Sequence, residues 1–377
     1  MNQKPLRVLH FYKTSFPDSM GGIEQVINQI ARGCVKLGVQ VDVLSLPANK
    51  APRTIKIDGY LAHRAHLDFQ IASTGFSISV FWRFYQLAKK ADIIHYHYPW
   101  PFMDVVHFAM RVCKPTVVTY HSDIIRQVHL YKLYRPLKRQ FLKSMSCIVA
   151  TSPNYVATSS VLKHFKDSVK VIPIGLDKAT YPVLDPERLE FWREKVGTKF
   201  FLFVGLIRYY KGLHILLEAA QGTDYPIVIL GAGPIESELK AQAAQLGLSN
   251  IHFLGFLSDE DKVALLTLCY AVVFPSHLRS EAFGVSLLEG AMYGKPLISS
   301  EIGTGTSFIN IADETGIVIP PSDPKALRQA MTYLWEHPEQ AVEMGQRAER
   351  RYRQFFTADQ MVKSYIDLYH ELLDGKS

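Results

Sequence analysis

Short apolar runs alternate along the chain with stretches of helical spacing. Arg7–Tyr12 and Gln40–Leu46 read as strands. Between them Val26, Ile27, Ile30, Cys34 and Leu37 fall on one face of a helix over Ile23–Leu37. Further strands are predicted at Asp92–Tyr96, Thr116–Tyr120, Cys147–Ala150 and Val169–Ile172, separated by helical patterns that include Val80–Ala88 and Tyr134–Lys143. The pattern then restarts. Strands at Phe200–Val204, Ile227–Leu230, Ile251–Leu254, Ala271–Phe274 and Pro296–Ser299 are interleaved with helices over Leu213–Ala220, Pro234–Leu246 and Gly284–Tyr293. Strands alternating with helices predict parallel βαβ units under helical layers. The stretch Pro173–Gly197, with Gly175, Pro182 and Pro186, reads as a hinge. The expectation is an α/β chain of two Rossmann-like domains, 1–185 and 186–377, with parallel sheets facing across a cleft and ligands at the carboxyl ends of the strands. Gln360–Leu373 predicts a last amphipathic helix, able to pack back on the first domain.

Composition supports this picture and narrows it. A length of 377 residues suits two domains, and 48% hydrophobic against 20% charged residues favours packed cores over disorder. No apolar run reaches the ~18 residues needed to span a bilayer. Met1–Pro5 lacks the apolar region of a signal peptide, so a cytoplasmic protein is expected. Cys34, Cys113, Cys147 and Cys269 form no CxxC pair and read as reduced core residues. The net charge of +7 is uneven: residues 1–185 carry 24 Lys+Arg and 11 Asp+Glu, or +13, and the remainder carries −6. The first half is therefore expected to meet something anionic: a membrane surface, a nucleic acid or a phosphorylated substrate.

Four groups of residues could carry chemistry. Gly21-Gly22 stand after the first strand, where glycine lets a ligand approach the backbone and a helix start offers free N–H groups. They do not form a GxGxxG. Arg208 and Lys211 follow Phe200–Val204 and suit a diphosphate. The segment Pro275–Gly284 follows another strand and opens a helix, and it brings Glu281 and Glu289. Glu289 lies in an otherwise apolar helix, where a carboxylate is costly without a partner such as vicinal ribose hydroxyls. The N–H groups of Phe283, Gly284 and Val285 could hold a hydroxyl or phosphate there. His121 directly follows Thr116–Tyr120 and could hydrogen-bond a sugar hydroxyl or stabilise developing charge; His95 and His97 end another strand in the same way. No DxD cluster or His/Cys ligand spacing is present, so no metal is expected.

At these motifs the chain resembles retaining glycosyltransferases of family 4, which have the GT-B fold. The resemblance spans nearly the whole length. It rests on Gly21-Gly22, on Val204-Gly205 through Lys211-Gly212, on Gly231-Ala232-Gly233-Pro234, on Phe253-Leu254-Gly255-Phe256 and on the Glu281/Glu289 block. The segments His10–Thr14 with Gly21–Glu24, and Ile302–Thr306, are most similar to bacterial mannosyl- and rhamnosyltransferases of lipopolysaccharide O-antigen synthesis.

The resemblance implies that Gly21 and Gly22 approach the donor phosphates, that Arg208 and Lys211 bind the diphosphate, and that Glu281, with the backbone of Phe283 and Gly284, contacts the donor sugar. It implies that Glu289 holds the ribose, that the backbone of Leu257 meets the base, that Asp259 and Lys262 help select guanine, and that His121 touches the sugar near its reacting face. Two departures stand out. Leu206 occupies the position where the family often has arginine, and Thr304 and Thr306 stand where a carboxylate is common.

The implied reaction transfers mannose or D-rhamnose from a GDP-sugar, with retention and without metal or other cofactor, to a polyprenyl-diphosphate-linked glycan. Lys132, Arg135, Lys138, Arg139 and Lys143 lie among Leu130, Tyr131, Leu133, Tyr134, Leu137, Phe141 and Leu142. Phe81, Trp82 and Phe84 lie in Ser77–Tyr85. Such mixtures suit peripheral binding to the inner membrane. A UDP-sugar donor is the nearest alternative. A nucleic-acid-binding protein and a dinucleotide oxidoreductase are more distant ones; the first leaves the Glu281/Glu289 block unexplained, and Gly231-Ala232-Gly233 lacks the third glycine required by the second.

Overall fold

The computed structural model describes residues 4–19, 21–47, 53–71, 74–124 and 128–375, excepting the side chains of 128–132. It divides into two compact units, residues 1–175 with 358–377, and residues 176–357. The division falls at Gly175/Leu176, against the 185/186 read from the sequence.

In the first unit β1 (Arg7–Phe11), α1 (Gly22–Lys36) and β2 (Gln40–Ser45) open a βαβ unit. A hairpin of β3 (Thr54–Ile57) and β4 (Tyr60–Arg64) follows, then a small hairpin of β5 (Phe69–Ile71) and β6 (Thr74–Phe76). Next come α2 (Ser79–Lys90), β7 (Ile93–Tyr98), α3 (Pro101–Ala109), β8 (Thr116–Tyr120), α4 (Val128–Lys143), β9 (Cys147–Ala150), α5 (Pro153–Thr158) and β10 (Val169–Val171). The sheet order is β10-β9-β8-β7-β1-β2-β4-β3, and every pairing is parallel except β3 with β4. Strand order reverses between β1 and β7, the switch point at which such sheets place ligands. β7 and β8 are buried at every residue, as strands covered on both faces must be.

The second unit holds α6 (Pro186–Val196), β11 (Phe201–Val204), α7 (Leu213–Ala220), β12 (Ile227–Leu230), α8 (Glu236–Gln245), β13 (Ile251–Gly255) and α9 (Asp259–Leu268). It continues with β14 (Ala271–Phe274), α10 (Val285–Met292), β15 (Leu297–Ser300), α11 (Thr306–Ile309), β16 (Gly316–Ile319), α12 (Pro324–Glu336) and α13 (Pro338–Phe355). The order β13-β12-β11-β14-β15-β16 is parallel throughout and reverses between β11 and β14. Two Rossmann-like units with parallel sheets are thus present, as the periodicity predicted. The last helix, α14 (Ala358–Leu373), counts with the first unit and packs on α1.

The stretch read as a hinge is partly helical. Asp185 caps α6 by accepting from Glu187 N, Pro186 starts the helix, and Trp192 donates to the Asp261 carboxylate at 2.8 Å. Only Trp192 and Val196 are buried on α6, too few to give a periodic signal.

Candidate active site

In the second unit the site grows from the two strands flanking the switch point. Gly212, in the loop after β11, has φ of 72°, and a Cβ there would lie 2.0 Å from the Pro275 carbonyl oxygen. Only glycine lets this loop press against the one after β14. That approach brings Lys211 to Glu281: the two side chains are buried and form an ion pair. The Lys211 ammonium also lies 4.8 Å from the centre of the Phe274 ring. Arg208 is exposed on the same loop, with no ion pair or hydrogen bond of its side chain among the described residues, and Leu206 is exposed beside it.

Gly284 caps α10 in the left-handed conformation, φ 99°, after the buried Phe283, and Val285 begins the helix. Thr304 and Thr306 are buried. The Thr306 hydroxyl reaches the Ser300 carbonyl at 3.3 Å, and the Thr304 hydroxyl has no partner among the described residues.

One turn into α10, Glu289 is buried but not alone. Its Oε1 accepts from the Tyr181 hydroxyl at 2.9 Å and pairs with Lys262 Nζ at 3.1 Å; Lys262 also pairs with Asp259 at 2.9 Å. Burial pushes the Lys262 pKa down, but Glu289 and Asp259 outweigh it and the net shift is upward. Burial and the Glu289 charge raise the Tyr181 phenol. Lys262, expected at the base, is thus turned towards the carboxylate expected at the ribose. Asp259 is exposed in the first turn of α9, and Leu257 is half-buried just ahead of that helix. Tyr181 escaped the sequence reading because it comes from a turn remote from α10 in the chain.

In the first unit Gly21 is the N-cap of α1, and around Gly22 a Cβ would meet nothing within 4 Å. The buried Glu24 carboxylate lies in the first turn, accepting from Thr14 at 2.5 Å and Ser19 at 3.1 Å. The sequence reading gave it no role, yet its charge sits where the helix start was expected to meet phosphates.

His121 follows β8 and is 5% exposed. It belongs to a buried line: His10 Nδ1 lies 2.9 Å from His97 Nε2, and His97 Nδ1 lies 3.0 Å from His121 Nε2. His95 sits against the line, its nitrogens bonded to Tyr369 and Thr119 at 2.7 Å each. Burial depresses all four histidines, His10 and His121 to about 3. His10, His95 and His97 offer nitrogens within 4.8 Å of one another. Every ring nitrogen of these three except His10 Nε2 already has a hydrogen-bond partner, so a metal ion would have to displace those bonds.

The basic stretches are less available than their composition implied. On α4, Phe141 and Leu142 are core residues, Tyr134 bonds Asp104, and Lys138 is buried with its charge acting on Asp104. Arg135, Arg139 and Lys143 remain exposed; the side chains of Leu130, Tyr131 and Lys132 lie outside the described residues. On α2, Phe84 is core and Phe81 half-buried, but Ile78, Trp82 and Tyr85 are exposed, with Lys89 over the Tyr85 ring. No described helix is long and apolar enough to cross a membrane.

Comparison with known proteins agrees with this architecture. Residues 186–351 match the family described as Glycosyl transferases group 1, and residues 20–180 match Glycosyltransferase Family 4. The D-rhamnosyltransferase WbpZ of Pseudomonas aeruginosa is 64% identical over 353 residues, 94% of this chain and 93% of that protein. The O-antigen chain mannosyltransferase C of Escherichia coli is 52% identical over 372 residues, 99% of this chain and all of that protein. Among solved structures, sucrose-phosphate synthase from Thermosynechococcus elongatus superposes with a TM-score of 0.80 over 98% of this chain and 100% of that one, at 20% identity.

Proposed function

Because this chain belongs to the glycosyltransferases of family 4, with the two Rossmann-like domains of the GT-B fold, we propose that it transfers mannose or D-rhamnose from a GDP-sugar onto a polyprenyl-diphosphate-linked glycan of O-antigen synthesis. The sugars and the process follow the names of the two relatives. The observation that carries the donor site is the buried ion pair of Lys211 and Glu281, which joins the loops after β11 and β14 beside the switch point, with Glu289 buried on the helix that follows β14.

In this reading Lys211 and Arg208 take the diphosphate, with Gly21 and Gly22 close to its oxygens. Glu281 and the N–H groups of Phe283, Gly284 and Val285 hold the sugar, and Glu289 accepts from the ribose hydroxyls. The backbone of Leu257 and the exposed Asp259 carboxylate meet the base, the carboxylate accepting from the N–H edge of guanine. The acceptor hydroxyl attacks the anomeric carbon on the face from which the diphosphate departs. The new C–O bond forms as the bond to the diphosphate breaks, and the hydroxyl proton passes to the departing phosphate oxygen. His121 hydrogen-bonds the sugar during this exchange. Two side-chain cations and helix-start N–H groups stabilise the leaving charge, a role that requires no metal.

Isothermal titration of wild type and Glu289→Ala with GDP, UDP and GDP-mannose, in EDTA, tests this reading. Tight GDP binding that survives EDTA is expected, weakened about 10–100-fold in Glu289→Ala by loss of charge-assisted hydrogen bonds. Preference for UDP would move the donor class. A folded protein that binds no nucleotide would overturn the donor site.

The acceptor's lipid places the enzyme at the cytoplasmic face of the inner membrane. Exposed Ile78, Trp82 and Tyr85 beside Lys89 and Lys90, with Arg135, Arg139 and Lys143 on α4, support this. The protein is expected to sediment with phosphatidylglycerol vesicles at low salt and to lose most of that binding in a Trp82→Ser/Lys89→Glu/Lys90→Glu variant, at about 1 kcal/mol for each cation removed. Failure to bind anionic vesicles would remove the membrane from the proposal.

A further inference from the structure

The three-histidine line has a direction that its bonding decides. A neutral imidazole has one N–H and one bare nitrogen. His97 uses both nitrogens, so it donates through one and accepts through the other. If it donates to His121, it accepts from His10 Nδ1–H, and His10 Nε2 is left bare. If the line runs the other way, His10 carries its proton on Nε2. That atom is buried and has no hydrogen-bond partner among the described residues. A buried N–H without an acceptor is the rarer and costlier defect, so the first direction is favoured. The line stays neutral in either case, since burial holds all three rings below their ordinary pKa.

We propose that His10 and His97 are positioning residues that fix His121 as the Nδ1–H tautomer, so that it meets its ligand at the carboxyl end of β8 as a neutral hydrogen-bond donor. His121 Nε2 accepts from His97, and its remaining proton is held on Nδ1, which has no hydrogen-bond partner among the described residues. Such a group can donate to a sugar oxygen or to an oxygen gaining negative charge. It cannot accept a proton through that nitrogen. The assignment rests on the reading of His121 as a sugar contact only for its catalytic meaning; the tautomer itself follows from the line.

The test is nuclear magnetic resonance of protein labelled with ¹⁵N-histidine at pH 7, assigned with single substitutions. The expected spectrum shows His10, His97 and His121 each protonated at Nδ1 alone. A His121 proton on Nε2, or protons on both nitrogens, overturns the proposal. In His97→Phe the donor to His121 is gone. The His121 proton is expected to shift towards Nε2, and kcat to fall at least about tenfold with little change in KM for the donor. His97→Gln, whose amide can donate to His121, is expected to restore the tautomer and most of kcat. Wild-type kcat in His97→Phe with the tautomer changed would overturn the positioning role. If His121→Ala keeps wild-type kcat while the wild-type spectrum is as expected, the sugar-contact reading fails and the tautomer assignment stands.

Discussion

Lys211→Ala is expected to lower kcat about 10²–10³-fold, because in the proposed donor site it removes a preorganised cation from the departing diphosphate. The lysine is buried, so its charge acts through little water and is worth more than a surface cation. The same burial complicates the variant. Glu281 would lose its partner, and an uncompensated buried carboxylate costs about 3–5 kcal/mol. The double variant Lys211→Met/Glu281→Gln removes both charges and serves as the folding control. Arg208→Ala lies at an exposed position and tests the electrostatic contribution with little stability component. Single-turnover kinetics alongside near-ultraviolet circular dichroism checks the prediction. A folded Lys211→Ala within about threefold of wild type would remove Lys211 from the leaving-group role.

The second large effect is on stability in mild acid. His10, His95, His97 and His121 are neutral in the folded first unit, with pKa values depressed below 6.5 by burial. The unfolded chain binds protons at these groups as pH falls through 6.5 while the folded unit does not, so stability is lost as pH falls below that value. At pH 5.5 each group costs about 1.4 kcal/mol, and the four together about 5–6 kcal/mol, comparable with the whole stability of a typical domain. His107, lowered to about 4, acts in the same direction. The second unit has His214 and His277 lowered as well, but they are only two and His214 is half-buried, so its slope is shallower. Hydrogen exchange, corrected for its intrinsic pH dependence, is expected to show β1, β7 and β8 losing protection between pH 6.5 and 5.5 before β11 and β14 do. Equal protection of both sheets at pH 5.5 would contradict this.

The parallel sheets were legible because their strands are short, continuous apolar runs. The β3–β4 hairpin was not: β3 lies at the sheet edge with alternate residues exposed, and its pattern has no run to find. The site divides in the same way. Glu281, Glu289, Arg208 and Lys211 stand at strand ends or on the helix that follows, where local pattern marks them. Tyr181 and the turn of Lys262 towards Glu289 depend on packing between segments far apart in sequence. His97 shares a face with His95, two residues earlier on a strand, and His10 lies opposite His95 in the β1–β7 register. A His-x-His pair on a buried strand was the available signal, and it was read as two strand ends rather than one line.

The return of the chain in α14 bears on how the protein is made. Tyr369 bonds His95, Tyr365 bonds Thr119, and Val362 packs so closely on α1 that a Cβ at Gly33 would lie 2.3 Å from it. The first unit's core is therefore completed by residues that leave the ribosome after the whole of 176–357. During synthesis its earlier residues wait with their α14-facing surface uncovered, a window in which chaperones bind exposed apolar patches. The second unit, continuous in sequence, faces no such delay. A stop codon placed after residue 357 would thus spare the unit that carries the proposed nucleotide site and undo the one that is translated first.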